Sequence, residues 1–145
     1  MKKLFFKKYL FIFLIQFFYF ESLNGQTQKW TKFHEYDNGD IKYIDVENIR
    51  VSDGFLYWYD LVDYLEPSNN LMSMSSYNKG DCKEMKSKYL NIRYFLGQMG
   101  THFLTSRSPP DLFTGWFSTT PGEVGHKVLK FVCEVKKNQK IKKNF

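Results

Sequence analysis

Phe55-Leu56-Tyr57-Trp58-Tyr59-Asp60-Leu61-Val62-Asp63-Tyr64 is the longest strand candidate in the sequence, and the way its two sides are filled decides the fold. Alternation along a strand sends Phe55, Tyr57, Tyr59 and Leu61 to one face and Leu56, Trp58, Val62 and Tyr64 to the other. A sheet with one solvated side carries a polar outer row. Here both rows are apolar or aromatic, so both need a cover. A helix, a partner subunit or a ligand could supply each one.

Thr120-Pro121-Gly122-Glu123, leading through Phe131-Val132-Cys133, supplies the first cover. Thr120 suits an N-cap, Pro121 the first helical position, and Glu123 completes a Thr-x-x-Glu capping box, so the sequence predicts a helix starting there. At about 100° per residue, Phe131, Val124, Val135, Val128, Val132, Leu129 and Cys133 form one broad apolar arc. Glu123, His126, Lys127, Lys130 and Glu134 fill the rest of the circumference. Such a helix covers one face of the central strand and leaves the other.

Further strands follow from turn chemistry. Trp30 to Tyr36 and Ile41 to Ile44 flank Asp37-Asn38-Gly39-Asp40, whose Asn and Gly accept the positive φ of a tight hairpin. Asp45 to Arg50 reads as a bend or single helical turn, and Ser52-Asp53-Gly54 as a turn into the central strand. Leu65 to Asn70 reads as a loop, Leu71 to Tyr77 as a polar strand near an edge, and Asn78 to Asp81 as a turn. From Cys82 a strand resumes, with clear alternation from Lys88 to Leu96, and Thr101 to Thr105 forms the last one before Pro109-Pro110. Trp116 is expected to plug the core against the helix.

The chain opens with Lys2, Lys3, Lys7 and Lys8, then an apolar run from Tyr9 to Phe20 and the exit Glu21-Ser22-Leu23-Asn24-Gly25. That is the pattern of a secretory signal peptide over residues 1–25, with the mature chain starting at Gln26. The run is shorter than the roughly 20 apolar residues that a spanning helix needs, so no transmembrane segment is expected in the mature chain. An exported chain with two cysteines reads as a single disulfide, Cys82 to Cys133.

Of the formal charge of +6, the segment 1–25, with four lysines and one glutamate, holds +3. Lys136, Lys137, Lys140, Lys142 and Lys143 hold a further five, which leaves −2 for the body at 26–135. Residues 136–145 are therefore expected as a basic disordered tail on a single domain. Nucleic acid is not an expected partner, since binding it needs cations gathered on a folded face.

Several of these pieces occur together in one known family. Tyr43-Ile44-Asp45 with Ile49, the Trp58 strand ending at Tyr64, Asp81-Cys82, Tyr94-Phe95-Leu96-Gly97, Trp116, Pro121-Gly122 and Val132-Cys133 stand in an order that resembles the surface-adhesin E family of bacterial envelope proteins. The resemblance runs from Trp30 to Cys133. It implies an α+β fold, an antiparallel sheet of about six strands with a C-terminal helix on one face, tied there by the disulfide. It also implies adhesion, since characterised members bind extracellular host proteins. No lipobox cysteine follows the signal peptide, unlike in lipid-anchored members, so the expected location is periplasm, outer-membrane surface or extracellular space.

Catalytic signals are weak. His34, His102 and His126 are scattered without ligand spacing, which predicts no metal site. Ser73, Ser75 and Ser76 lack the Gly-x-Ser-x-Gly elbow of a nucleophile, and no phosphate-cradling loop is present, so no cofactor is expected. Asp60 and Asp63 fall on opposite faces of one strand and cannot act as an acid–base pair through it. The residues left for function are Tyr57, Trp58, Tyr59 and Tyr64, large rings with polar tips of the kind enriched at protein interfaces. They predict a non-catalytic binding domain with an extracellular or envelope protein as partner. The alternatives are a periplasmic protein holding a small ligand between sheet and helix, and a structural homodimer.

Overall fold

The structure, a computed structural model, describes residues 28–110 and 115–142. The expected signal peptide lies outside the described residues. Eight strands form one antiparallel sheet: β1 (Trp30–Glu35), β2 (Ile41–Asp45), β3 (Arg50–Ser52), β4 (Phe55–Ser68), β5 (Leu71–Asp81), β6 (Lys86–Phe95), β7 (Phe103–Arg107) and β8 (Phe117–Ser118). The order across the sheet is β1-β2-β4-β5-β6-β7, with β3 beside β4 and β8 beside β6. One helix, α1 (Val124–Lys142), packs on one face.

The hairpins are longer than the turn signals suggest. Asp53 and Gly54 both take positive φ, 51° and 80°, so a two-residue turn joins Ser52 to Phe55 and pairs the short strand β3 with β4, while the expected bend holds at 46–49. Asn69 and Asn70, at φ 51° and 63°, do the same between Ser68 and Leu71, and the expected loop at 65–70 is instead the end of β4 and a tight turn. The next turn lies at 82–85 rather than at 78–81. There the Asp81 carboxylate accepts from the amides of Lys83 (2.9 Å) and Glu84 (3.1 Å), which closes the chain after β5 instead of before its last residues. Nor is β5 an edge strand: it runs between β4 and β6. Two of its serines are buried partners, Ser76 Oγ donating to Asp60 and Ser73 Oγ to the Gly97 carbonyl.

Ile44, Leu56 and Trp58 of the sheet and Ile49 of the β2–β3 connection meet Val128, Leu129 and Val132 of α1 to form the core. Phe33 and Phe131 close its rim with ring centroids 5.3 Å apart. The helix starts later than the capping box implies, because Gly122 sits at φ 96°, outside the helical region. Thr120 instead accepts the Glu123 amide through its carbonyl (3.1 Å), and the Glu123 carbonyl takes the first helical hydrogen bond, from Lys127 (3.1 Å). At its other end α1 continues to Lys142, where a disordered tail is expected, since no Gly or Pro follows Gly125 to stop it. Lys136 Nζ, on that continuation, donates to the Ile49 carbonyl (3.2 Å). Cys133 is bonded to Cys82 in the β5–β6 turn, with Cα atoms 6.0 Å apart, so the helix is tied to the sheet at one corner.

Gly80 lets the helix approach. A Cβ there would stand 2.7 Å from Leu129 Cδ1 and 2.8 Å from the Trp58 ring, so the bare backbone is what allows Leu129 and Trp58 to meet over β5. Gly80→Ala is expected to lose about 1–3 kcal/mol through overpacking, read as a lower urea midpoint.

Candidate functional site

The two rows of β4 end up in different environments. Leu56, Trp58 and Asp60 face α1 and are buried, with Trp58 only 3% exposed. Trp58 is therefore core and cannot reach a partner directly. Tyr64 lies on the same side of the strand as Trp58, farther along, and is partly exposed. Burial, aided by the Asp40 carboxylate and opposed by Lys42, raises its phenol pKa. Tyr57 and Tyr59 point the other way.

Beneath the helix sits a buried polar group. Lys42 Nζ lies 2.8 Å from Asp60 Oδ1, and Ser76 Oγ and Asn78 Nδ2 also donate to that carboxylate. Burial alone would lower the Lys42 pKa, but the charge and hydrogen bond of Asp60 outweigh it and the net shift is upward. A cleft of about 130 Å³ opens beside this pair, lined in part by Tyr36, Trp58, Ser87 and Tyr89 and by Val124 and Gly125 at the start of α1. Trp58 Nε1 is buried without a hydrogen-bond partner among the described residues. His126 Nδ1 lies 3.0 Å from Thr119 Oγ1, which fixes the first turn of the helix.

The face away from the helix is divided. Its far end is covered by the segment around the 3-10 turn at Gln98–Gly100. The Met99 amide donates to Asp63 Oδ1 (2.7 Å), the Gly100 amide to Ser73 Oγ (3.0 Å), and Leu61 is fully buried beside Gly100. Burial raises the Asp63 pKa and the Met99 amide partly offsets it.

The near end has no such cover among the described residues. There Tyr59 and Tyr77 stack at 4.5 Å, and Tyr57 lies 6.1 Å from Tyr77. Phe55 meets Trp116 at 5.4 Å. Trp116, expected in the core against the helix, is thus on the opposite face and 37% exposed, because the chain entering β8 pairs with the outer edge of β6 and brings it round that side. Cations frame these rings. Lys79 Nζ is 4.0 Å from the Phe55 ring centre, Lys86 and Lys88 are 5.6 and 5.4 Å from that of Trp116, and Arg93 is 5.5 Å from that of Tyr59. A pocket of about 70 Å³ lies beside them, lined by Asn48, Arg50, Tyr57, Tyr59 and Tyr77.

Of the four aromatic residues predicted from sequence, Tyr57 and Tyr59 come together in this patch, and Trp58 and Tyr64 do not. Tyr77, Lys79, Lys86, Lys88, Arg93 and Trp116 are additions. Tyr77 and Lys79 would follow from alternation had β5 been read through to Asp81, whereas Trp116 arrives by tertiary packing that no local signal announces. Among the described residues, no three His, Cys, Asp or Glu side chains converge, and no helix is long and apolar enough to cross a membrane.

Comparison with known proteins agrees with this architecture. The sequence profile of surface-adhesin protein E matches residues 30–134. A search of curated protein sequences finds no match. Among solved structures, crystal form II of Haemophilus influenzae protein E is similar with a TM-score of 0.55 at 17% identity, over 72% of this chain and 87% of that one. A second structure of Haemophilus influenzae protein E gives 0.54 at 16% identity, over 72% and 83%. At such identities the likeness is one of fold. The matched profile spans β1 to Glu134 in α1, both cysteines included, and the chain belongs to the surface-adhesin protein E family, a family of adhesin-like surface proteins.

Proposed function

We propose that this chain is a non-catalytic, exported adhesin-like domain that holds an extracellular protein against the open face of its sheet. The observation that carries the reading is the uncovered near end of that face. Tyr57, Tyr59 and Tyr77 are partly exposed there beside Asn48 and Arg50, Trp116 is 37% exposed, and no helix covers them among the described residues. Rigid aromatic side chains give a large contact area at low entropic cost, and a sheet fixes their spacing. On the helix face Trp58 lies in the core, and Tyr64 stands apart from it farther along β4.

Binding of purified serum and extracellular-matrix proteins to the immobilised mature chain tests this. Tyr59→Ala/Tyr77→Ala is expected to weaken any captured protein by about tenfold or more, the loss typical of two central anchor residues. The urea midpoint should change little. Equal capture by the double variant would overturn the proposal, and so would a stable homodimer that buries this row and excludes other proteins.

The cleft beside Lys42 and Asp60 supports a narrower second reading, a small polar ligand held between sheet and helix, because Trp58 Nε1 there has no partner among the described residues. Native mass spectrometry of freshly purified protein should then show a bound mass that is lost in Trp58→Phe. A bare chain mass would exclude it.

A further inference from the structure

The open face is more basic than the rest of the molecule. Residues 26–135 carry a net −2, yet Lys79, Lys86, Lys88 and Arg93 all stand on this one side. Ion pairs among the described residues include those of Lys29, Lys32 and Lys42, and none of the four cations of this face is in a salt bridge there. The acidic residues of the same face make their hydrogen bonds elsewhere, although Asp81 stands opposite Lys86 in the β5–β6 register and feels its charge. Asp45 is fully buried and accepts from Asn48, Asp63 accepts the Met99 amide, and Asp81 is engaged with the amides of its own turn. Lys79 and Lys88 are directly opposite in the β5–β6 register. Like charges in that position repel, and here only ring faces moderate them.

We propose that the partner segment taken by this face is an acidic stretch of polypeptide, with carboxylates meeting Lys79, Lys86, Lys88 and Arg93 and one side chain entering the pocket between Arg50 and Tyr77. The inference rests on the reading of the open face given above and adds the chemistry of what it binds. Charge complementarity selects an anion, and the lateral arrangement selects a peptide. The cations are few and are interleaved with rings instead of forming a continuous basic track, and the pocket of about 70 Å³ is the size of a single side chain. Association with such a segment is steered by charge and weakened by salt.

The test uses the mature chain in solution with three immobilised probes: a synthetic peptide of alternating Glu and Leu, the same peptide with Gln for each Glu, and heparin. The Glu peptide should bind and the Gln peptide should not. Raising salt from about 0.05 to 0.3 M should weaken binding by about tenfold. Lys79→Gln/Lys88→Gln should weaken it to a similar degree at low salt, whereas Lys127→Gln/Lys130→Gln, the same charge loss on the exposed helix side, should leave it unchanged. If both double variants lose binding equally, net charge alone is responsible and the proposal fails. Equal binding of the Glu and Gln peptides, abolished by Tyr59→Ala/Tyr77→Ala, would keep the open face as the site and reject an acidic partner. Heparin held more tightly than the Glu peptide, and unaffected by the tyrosine substitutions, would assign the lysines to a polysaccharide. Binding that ignores both the lysine and the tyrosine variants would overturn the face itself.

Discussion

Replacing Cys82 and Cys133 together by serine is expected to remove about 4 kcal/mol of stability. The bond spans 51 residues, taking in β6, β7, β8 and the first part of α1, so its loss releases a long loop in the unfolded chain. The native state loses something as well. The helix reaches the sheet mainly through Val128, Leu129 and Val132, and the tie at Cys133 holds that apolar stripe against Leu56 and Trp58. The urea midpoint of the double variant should fall by about 2–3 M and coincide with that of the reduced wild-type chain. A loss below about 1 kcal/mol would mean that the helix docks by packing alone. The tyrosine patch lies on the other side of the sheet, so binding in the absence of denaturant should survive wherever the variant remains folded.

Lys42→Met is the second large effect, at about 3–5 kcal/mol. Its ammonium is the only cation beside Asp60 among the described ion pairs, and the Lys42 side chain is 13% exposed. Without it a carboxylate remains under the helix with neutral donors such as Ser76 and Asn78. The cost comes from the stranded charge and not from the lost contact. Lys42→Met/Asp60→Leu should therefore recover most of the stability, and a double variant no better than the single one would contradict this account of the pair.

The sign of the pH dependence follows from the raised Lys42 pKa. The folded state holds that proton more tightly than the unfolded chain, whose lysines titrate near 10.5. The contribution is complete below that pH and is lost as pH rises through the higher folded value. Alkaline unfolding should accordingly be steeper in wild type than in the double variant, with no difference in slope near neutral pH.

Much of the fold is legible where local chemistry and long-range packing agree. The alternation of Phe55 to Tyr64 places both rows correctly, and the apolar arc of the helix identifies Val128, Leu129 and Val132 as core. The errors sit where a local signal competes with pairing. Asn78 to Asp81 has turn composition, but Asn78 is held inside the sheet by Asp60 and Gly80 is required by the approach of Leu129. The capping box has the right residues, yet Gly122 takes a positive φ that no helix accommodates.

The site was half legible for a related reason. A strand pattern separates Tyr57 and Tyr59 from Trp58 but does not say which row the helix takes. Charge counting hid the lysines altogether, because a body of net −2 can still gather Lys79, Lys86 and Lys88 on one face. The sum over segments is correct and is silent on how the cations of the body are distributed over its faces.

Hydroxyl-radical footprinting of the mature chain, free and bound to a captured extracellular protein, tests most directly whether the open face is where binding occurs. Protection is expected at Tyr57, Tyr59, Tyr77 and Trp116, with Phe131 and the exposed side of α1 labelled equally in both states. Protection of the helix side, with those four rings unchanged, would contradict it.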